Sequence, residues 1–415
     1  MNQFSVQTPL RFMGVVALFA LAACSTLKTQ PVNDAAKVGD IVKVEAELAR
    51  QPDLNEKDVQ GFTALHSAAM NGHAKIANLL LTSGAEVDVR DKRGNTPLAL
   101  ATANGYDEVA EILLERGANL ESGDFSGKTP LQYAAMTGRE SLTKTLIAKG
   151  ANVESANNDG KTPLHWAAMN GHTKVAGVLI DRGAQVRAKD KIGLTPLNWA
   201  AEEGHTGVAE LLIVKGGEVN PAEGLSPLFS AAREGHLDMG RLLIGKGAEV
   251  NIQPGSGPAP LHFAASGGHA EVAKLLIESG ARINAKDEFG NSPLHSAAFG
   301  GDYKTVQMLL AYGADIGAQE NSGDTALHTA AIQGNDFVTK ILLDAGAEVD
   351  AVNKQGRTPL HLAVGNGHEE VTKKLLERGA AAMAKDNSGK TPIDLVAGTG
   401  YTRIAELLGR SLARK

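Results

Sequence analysis

The sequence predicts an all-α solenoid of stacked helix–turn–helix units joined by protruding, hairpin-like loops. Two observations carry that prediction. First, a glycine opens a near-identical string, in its fullest form G-x-T-P-L-H-x-A-A, at Gly61, Gly94, Gly127, Gly160, Gly193, Gly224, Gly257, Gly290, Gly323, Gly356 and Gly389. Every step is 33 residues except that from Gly193 to Gly224, which is 31. A second glycine follows each one eleven residues later, from Gly72 to Gly400. Second, aromatic residues make up only 4% of the 415 residues, while there are 47 glycines. That is thin for a conventional large core and rich in turn residues.

Each unit is readable from its own chemistry. In residues 160–193, Thr162 is placed to cap a helix, and Pro163 occupies the first helical position, where a missing N–H costs nothing. Leu164, Ala167 and Ala168 make a short inner helix whose small residues let neighbours approach. Gly171 suits the left-handed position that ends it. Val175, Ala176, Val178 and Leu179 follow helical spacing and form the stripe of an outer helix. Gly183-Ala184 closes that helix, and the loop QVRAKDKIG at 185–193 leads on. No unit buries its apolar face alone, so the units must stack.

This pattern resembles the ankyrin repeat, and the resemblance runs from about Asn33 to the C-terminus. Ala35-Ala36 and Gly39 fall in register and mark a degenerate first unit. The expected organisation is a capping repeat at 33–60, ten repeats over 61–388 and a C-terminal capping repeat at 389–415. The end units carry polar residues or lack a following loop, as solenoid caps require. One stretch departs from the period. The loop at 217–223 is two residues short, the next reads IQPGSGPAP, and Ala259 replaces the capping threonine. A local weak point or bend is expected at 216–260.

The N-terminus is of another kind. Arg11 precedes an apolar run from Phe12 to Ala23, whose twelve helical residues would span about 18 Å, short of a ~30 Å hydrocarbon core. The run fits a signal-peptide core. Leu21-Ala22-Ala23-Cys24 resembles the lipobox of bacterial lipoproteins. The resemblance implies a signal peptide over 1–23, lipidation of Cys24, a short linker over 24–32 and a bacterial cell-envelope location. Ser25, where an inner-membrane retention signal would place aspartate, points to the outer membrane, facing the periplasm or the cell surface. Several acyl chains hold a protein on a bilayer stably, at about 0.8 kcal/mol per buried methylene.

The remaining composition narrows the function. Net charge is −6, and Lys, Arg, Asp and Glu are mixed along the chain, so no footprint for nucleic acid is visible. Cys24 is the single cysteine, which leaves the repeats without a disulfide or thiolate metal site. All 12 histidines fall in two columns, one in the TPLH position and one after the second glycine, so none marks a metal site. The ankyrin resemblance implies hydrogen bonds within and between loops for the first column, and the start of the outer helix for the second. GSGPAP at 255–260 has neither a preceding strand nor a following Lys-Thr, so it is not a nucleotide loop. No catalytic residues, cofactor or small-molecule substrate are expected.

What remains is binding. Ankyrin repeats resemble one another in presenting loop tips and the pair before the second glycine to a partner. Carried onto this chain, that set includes Phe125, Met136, Met169, Ile192 and Leu194, apolar residues expected to be exposed in adjacent repeats. It also includes Asn170, Glu202, Glu203, Phe289 and Phe299. Trp166 and Trp199, one residue past the histidine position, are expected to pack between units. The expected function is a non-enzymatic, membrane-anchored scaffold that binds a protein partner on its concave face. A structural spacer without a dedicated ligand, or an accessory or inhibitor of an envelope enzyme, are the alternatives.

Overall fold

A computed structural model describes residues 31–413 apart from positions 223 and 398. Among these residues there are 23 α-helices and no strand, arranged as alternating inner and outer helices along the chain. The inner helix at Pro163–Met169 and the outer helix at Thr173–Asp181 represent the unit. The first pair, Pro31–Val38 and Ile41–Leu48, begins two residues earlier than expected from sequence. In the last unit the inner element shrinks to a 3₁₀ turn at Pro392–Leu395 before the closing helix Thr402–Ala413. The Cys24 assignment and its leader lie outside the described residues.

The expected caps are in place. Pro163 stands at the first helical position behind Thr162, and Gly171 adopts φ +74° just beyond the helix. At Gly171 only glycine fits for a second reason: an added Cβ would sit 2.8 Å from Nδ1 of His205 in the next unit. Leu164, Ala167, Ala168, Val175, Ala176 and Leu179 are buried, and Val178 is half-buried. The equivalent positions elsewhere join them in one continuous apolar core. Inner helices of consecutive units contact one another more extensively than outer helices do. The small alanines allow that approach, and the array therefore curves with its inner helices on the concave side.

Both histidine columns tie neighbours together. In the first, His165 Nδ1 accepts the Thr162 N–H at 3.1 Å, and Nε2 lies 3.1 Å from the Leu194 carbonyl of the next unit. His66, His262, His295, His328 and His361 repeat both bonds, with Nε2 at 3.0–3.2 Å from a carbonyl 29 residues on. An accepting Nδ1 and a donating Nε2 define the neutral ring. Gln132 and Asn198 reproduce the arrangement with their amides. In the second column Nε2 reaches backwards. His172 meets the Met136 carbonyl at 3.0 Å, and His205 meets that of Met169 at 3.1 Å.

The loops add two further links. A carboxylate or amide three residues before the first glycine folds every tip but those before Gly224 and Gly257. Asp190 Oδ1, for example, accepts the N–H groups of Ile192 and Leu194 at 3.1 and 2.9 Å. Consecutive tips are then joined by backbone bonds, such as Phe125 N–H to Arg93 O at 3.0 Å and Lys191 N–H to Asp159 O at 2.9 Å. These rungs run unbroken from Gln60 to Lys191 and again from Phe289 to Asn387. Between the runs, among the described residues, none joins Ala222 to Ile192 or Glu288 to Ser256. Sequence accounts for the gap: Pro221 and Pro254 stand where other loops have Asp, Asn or Glu, and proline supplies neither the side-chain acceptor nor the N–H. Helices continue through 216–260. Ala259 loses the threonine hydroxyl but keeps its own N–H bond to His262 Nδ1 at 3.1 Å.

Candidate interaction surface

The concave face is built from the residue after the first glycine, the residue after the histidine position, and the pair before the second glycine. From Gly127 to Gly204 these columns carry the chain's only two tryptophans. Tyr133, Trp166 and Trp199 occupy the same place in three consecutive inner helices, and all are half-buried. The lysines of the first column lie across them. Lys128 Nζ is 5.8 Å from the Tyr133 ring centre and 5.7 Å from that of Trp166. Lys161 Nζ is 5.7 Å from Trp166 and 4.2 Å from Trp199. The result is an alternating stripe of rings and ammonium groups held by cation–π attraction.

The polar tips of two rings turn into the loops. Tyr133 donates its hydroxyl to Asp124 Oδ2 at 2.7 Å, and Trp199 Nε1 donates to Asp190 Oδ2 at 2.9 Å. Burial, followed by the bond to Asp124, pushes the Tyr133 phenol well above its ordinary range. Burial also acts to raise the Asp124 carboxyl, but hydrogen bonds from Ser126, the Lys128 N–H and Tyr133 outweigh it and hold it low. Trp166 differs: its buried Nε1 has no hydrogen-bond partner. The residue in the Asp124 and Asp190 position is Asn157, whose Oδ1 is taken by the N–H groups of Asp159 and Lys161. Its remaining atom, Nδ2, is a donor rather than an acceptor and lies 3.5 Å from Asp159 Oδ2.

The residues singled out from sequence divide into separate places. Phe125 and Ile192, at loop tips, are 69% and 72% exposed. Met136 and Met169, on inner helices, and Leu194, in the loop before one, are half-buried rather than exposed. The backbone carbonyls of the two methionines are taken by the second histidine column. Asn170 and Glu203 are exposed beside them. Glu202 is half-buried and paired with Arg233, which also holds Glu234 at 2.8 Å. Burial raises the Glu202 carboxyl, and Arg233 opposes the shift. Phe289 and Phe299 are both 61% exposed, but they belong to the Gly290 repeat, three steps beyond Gly193. With roughly 10 Å per step, they form no single patch with the others.

Trp166 and Trp199 do make contacts between units, as expected, but through lysines of the neighbouring repeat on the open face. The ring–lysine stripe itself was not read from sequence as one surface. The signal was present, since two tryptophans 33 residues apart fall in one column, each with a lysine in the column before it. Among the described residues no group of three or more His, Cys, Asp or Glu converges as metal ligands. Nor is any helix there long and apolar enough to cross a membrane.

Comparison with known proteins agrees with the architecture. The family model "Ankyrin repeats (3 copies)" matches in six overlapping segments, 32–124, 117–190, 179–254, 247–320, 301–386 and 327–413. The chain belongs to the ankyrin-repeat family, whose members are in general non-enzymatic modules for protein–protein interaction. Among curated relatives, zebrafish (Danio rerio) Inversin is 43% identical over 49 residues, 12% of this chain and 5% of that protein. Human (Homo sapiens) Ankyrin repeat domain-containing protein 39 is 41% identical over 54 residues, 13% of this chain and 30% of the relative. The chain thus spans less than a third of either relative. A crystal structure of the human ASB11 ankyrin repeat domain aligns at 28% identity with TM-score 0.49, covering 53% of this chain and 99% of that one.

Proposed function

We propose that this chain is a lipid-anchored, non-enzymatic scaffold that holds a protein partner on its concave face. The observation that carries the docking surface is the stripe of half-buried rings at Tyr133, Trp166 and Trp199, presented by three consecutive inner helices. Large, rigid aromatic side chains on an open face supply contact area at little entropic cost. Membership of a family of interaction modules supports the same reading.

Cys24 supplies the anchor and its context the address. A short apolar run ending in Leu21-Ala22-Ala23 before the sole cysteine supports lipidation and a place in a bacterial envelope. Ser25 supports the outer membrane. Labelled palmitate enters the wild-type chain and is lost in Cys24→Ala; equal labelling of both overturns the anchor. For the docking face, a photo-crosslinking residue placed at Asn170 in the native envelope captures one partner reproducibly. The same residue placed at Lys340, on an outer helix, does not. A spacer without a ligand gives the same background from both positions, and that result overturns the scaffold reading.

A further inference from the structure

From the ring–lysine stripe, we infer that the partner is recognised through an acidic, extended segment whose carboxylates are three residues apart. The inference rests on the concave-face reading and adds its chemistry. Lys161 is half-buried and lies between two indole rings. Among the described residues no carboxylate is within ion-pair reach of its ammonium. A partly desolvated cation held by aromatic faces alone is an incomplete arrangement, and an incoming carboxylate completes it.

Lys128 is partly engaged, since its ammonium donates to the Ser126 hydroxyl at 2.7 Å and lies 3.6 Å from Asp124 Oδ2, so Lys161 is the emptier of the two positions. The Asp124 oxygens already accept from the Ser126 hydroxyl, the N–H groups of Ser126 and Lys128, and the Tyr133 hydroxyl. Asp190 is likewise used by Ile192, Leu194 and Trp199. These acids are committed to folding the tips. The surface left over is cationic and aromatic over the Gly127 and Gly160 repeats. It ends at exposed Glu203, beside the Glu202–Arg233 pair, and Glu203 repels an acidic chain and fixes where it stops.

Spacing selects the segment. Lys128 and Lys161 are equivalent positions in adjacent units, roughly 10 Å apart by helix packing. A polyproline II strand advances about 9 Å in three residues and returns to the same face. Carboxylates at positions i and i+3 therefore meet both lysines, and the intervening residues lie on the Trp166 ring. The whole chain carries net charge −6, so the attraction is local and weakens as salt is raised.

The test uses the full chain in mild detergent and fluorescein-labelled (Pro-Pro-Glu)₄ as probe, with (Pro-Pro-Gln)₄ as control. Binding is read by anisotropy and by quenching of tryptophan fluorescence. The glutamate peptide binds, the glutamine peptide binds about tenfold more weakly or worse, and Lys128→Gln and Lys161→Gln each weaken the glutamate peptide about tenfold. Lys340→Gln leaves binding unchanged, and far-UV circular dichroism confirms that all variants fold. Equal binding of the two peptides, no binding at millimolar concentration, or full binding by the lysine variants overturns the inference. The Asn170 crosslink separates the two levels. If capture persists undiminished in Lys161→Gln, the docking face stands and its acidic partner chemistry falls. If no capture occurs at all, the docking face itself falls.

Discussion

Trp166 offers a direct test of how the stripe is held. Its Nε1 is a buried donor without an acceptor. In the flanking repeats the same loop position provides one: Asp124 Oδ2 for Tyr133 at 2.7 Å and Asp190 Oδ2 for Trp199 at 2.9 Å. Asn157→Asp keeps the oxygen that accepts from Asp159 and Lys161 and converts the amide nitrogen into the missing acceptor. An unsatisfied buried donor costs about 1–3 kcal/mol. Against this stand the lost contact from Asn157 Nδ2 to Asp159 Oδ2, which at 3.5 Å is at the limit of a hydrogen bond, and repulsion between two carboxylates. That repulsion is worth roughly 0.5–1 kcal/mol where solvent reaches. The net expectation is stabilisation of about 1 kcal/mol. Urea unfolding followed by tryptophan fluorescence measures it, and hydrogen exchange of the Trp166 indole N–H, resolved by NMR, reports the new bond. A variant no more stable than wild type, with unchanged indole exchange, refutes the reasoning.

Other outcomes follow from the same geometry. Burial, against the pull of the carbonyl each ring bonds, lowers the pKa of all six first-column histidines below 6.5. The unfolded chain then binds more protons than the folded one, so the stability contribution is complete above pH 6.5 and is lost as pH falls below it. The loss approaches about 1.4 kcal/mol per pH unit per histidine, and urea midpoints that do not fall between pH 7.5 and 5.5 contradict it. His165→Gln, copying Gln132, keeps neutral-pH stability and removes that repeat's share of the acid sensitivity, read as a shallower slope of midpoint against pH. Gly138→Ala forces a side chain onto φ +74° and within 2.6 Å of His172 Nδ1, costing about 2 kcal/mol or more; a melt within experimental scatter of wild type argues against it. Residues 216–260, where tip rungs are missing, open faster than 127–193 in hydrogen exchange, and uniform protection across both stretches contradicts this.

The fold was legible because the period repeats its own evidence. One Thr-Pro-Leu-His string is a weak helix start, whereas eleven variants of it in phase leave no other architecture. Cap and glycine positions followed from backbone chemistry alone, as Thr162, Pro163 and Gly171 illustrate. The surface was less legible. Exposure of Met136, Met169 and Leu194 could not be read from column position, because it depends on how closely neighbouring units stack. The backward bond of the second histidine column spans 36 residues and is invisible to local reasoning. The lysine–ring stripe is a product of two columns, each innocuous alone, that meet only once units stack. The orphan indole depends on a single Asp-to-Asn difference within a column.

The histidine bonds also say how such a chain can change length. A unit holding both histidines bonds one carbonyl in the unit behind and one in the unit ahead, 36 and 29 residues away where the step is 33. Excising one whole period, such as residues 128–160, brings Gly127 directly before Lys161, and every donor finds the equivalent acceptor. Duplicating a period does the same. Removing another number of residues shifts the offset at that one junction, as at the Gly193–Gly224 step, where Asn198 and His236 still reach carbonyls 27 and 34 residues away. Whole repeats are therefore the length change that disturbs no junction, and the one 31-residue step, at Gly193–Gly224, falls where a tip rung is absent.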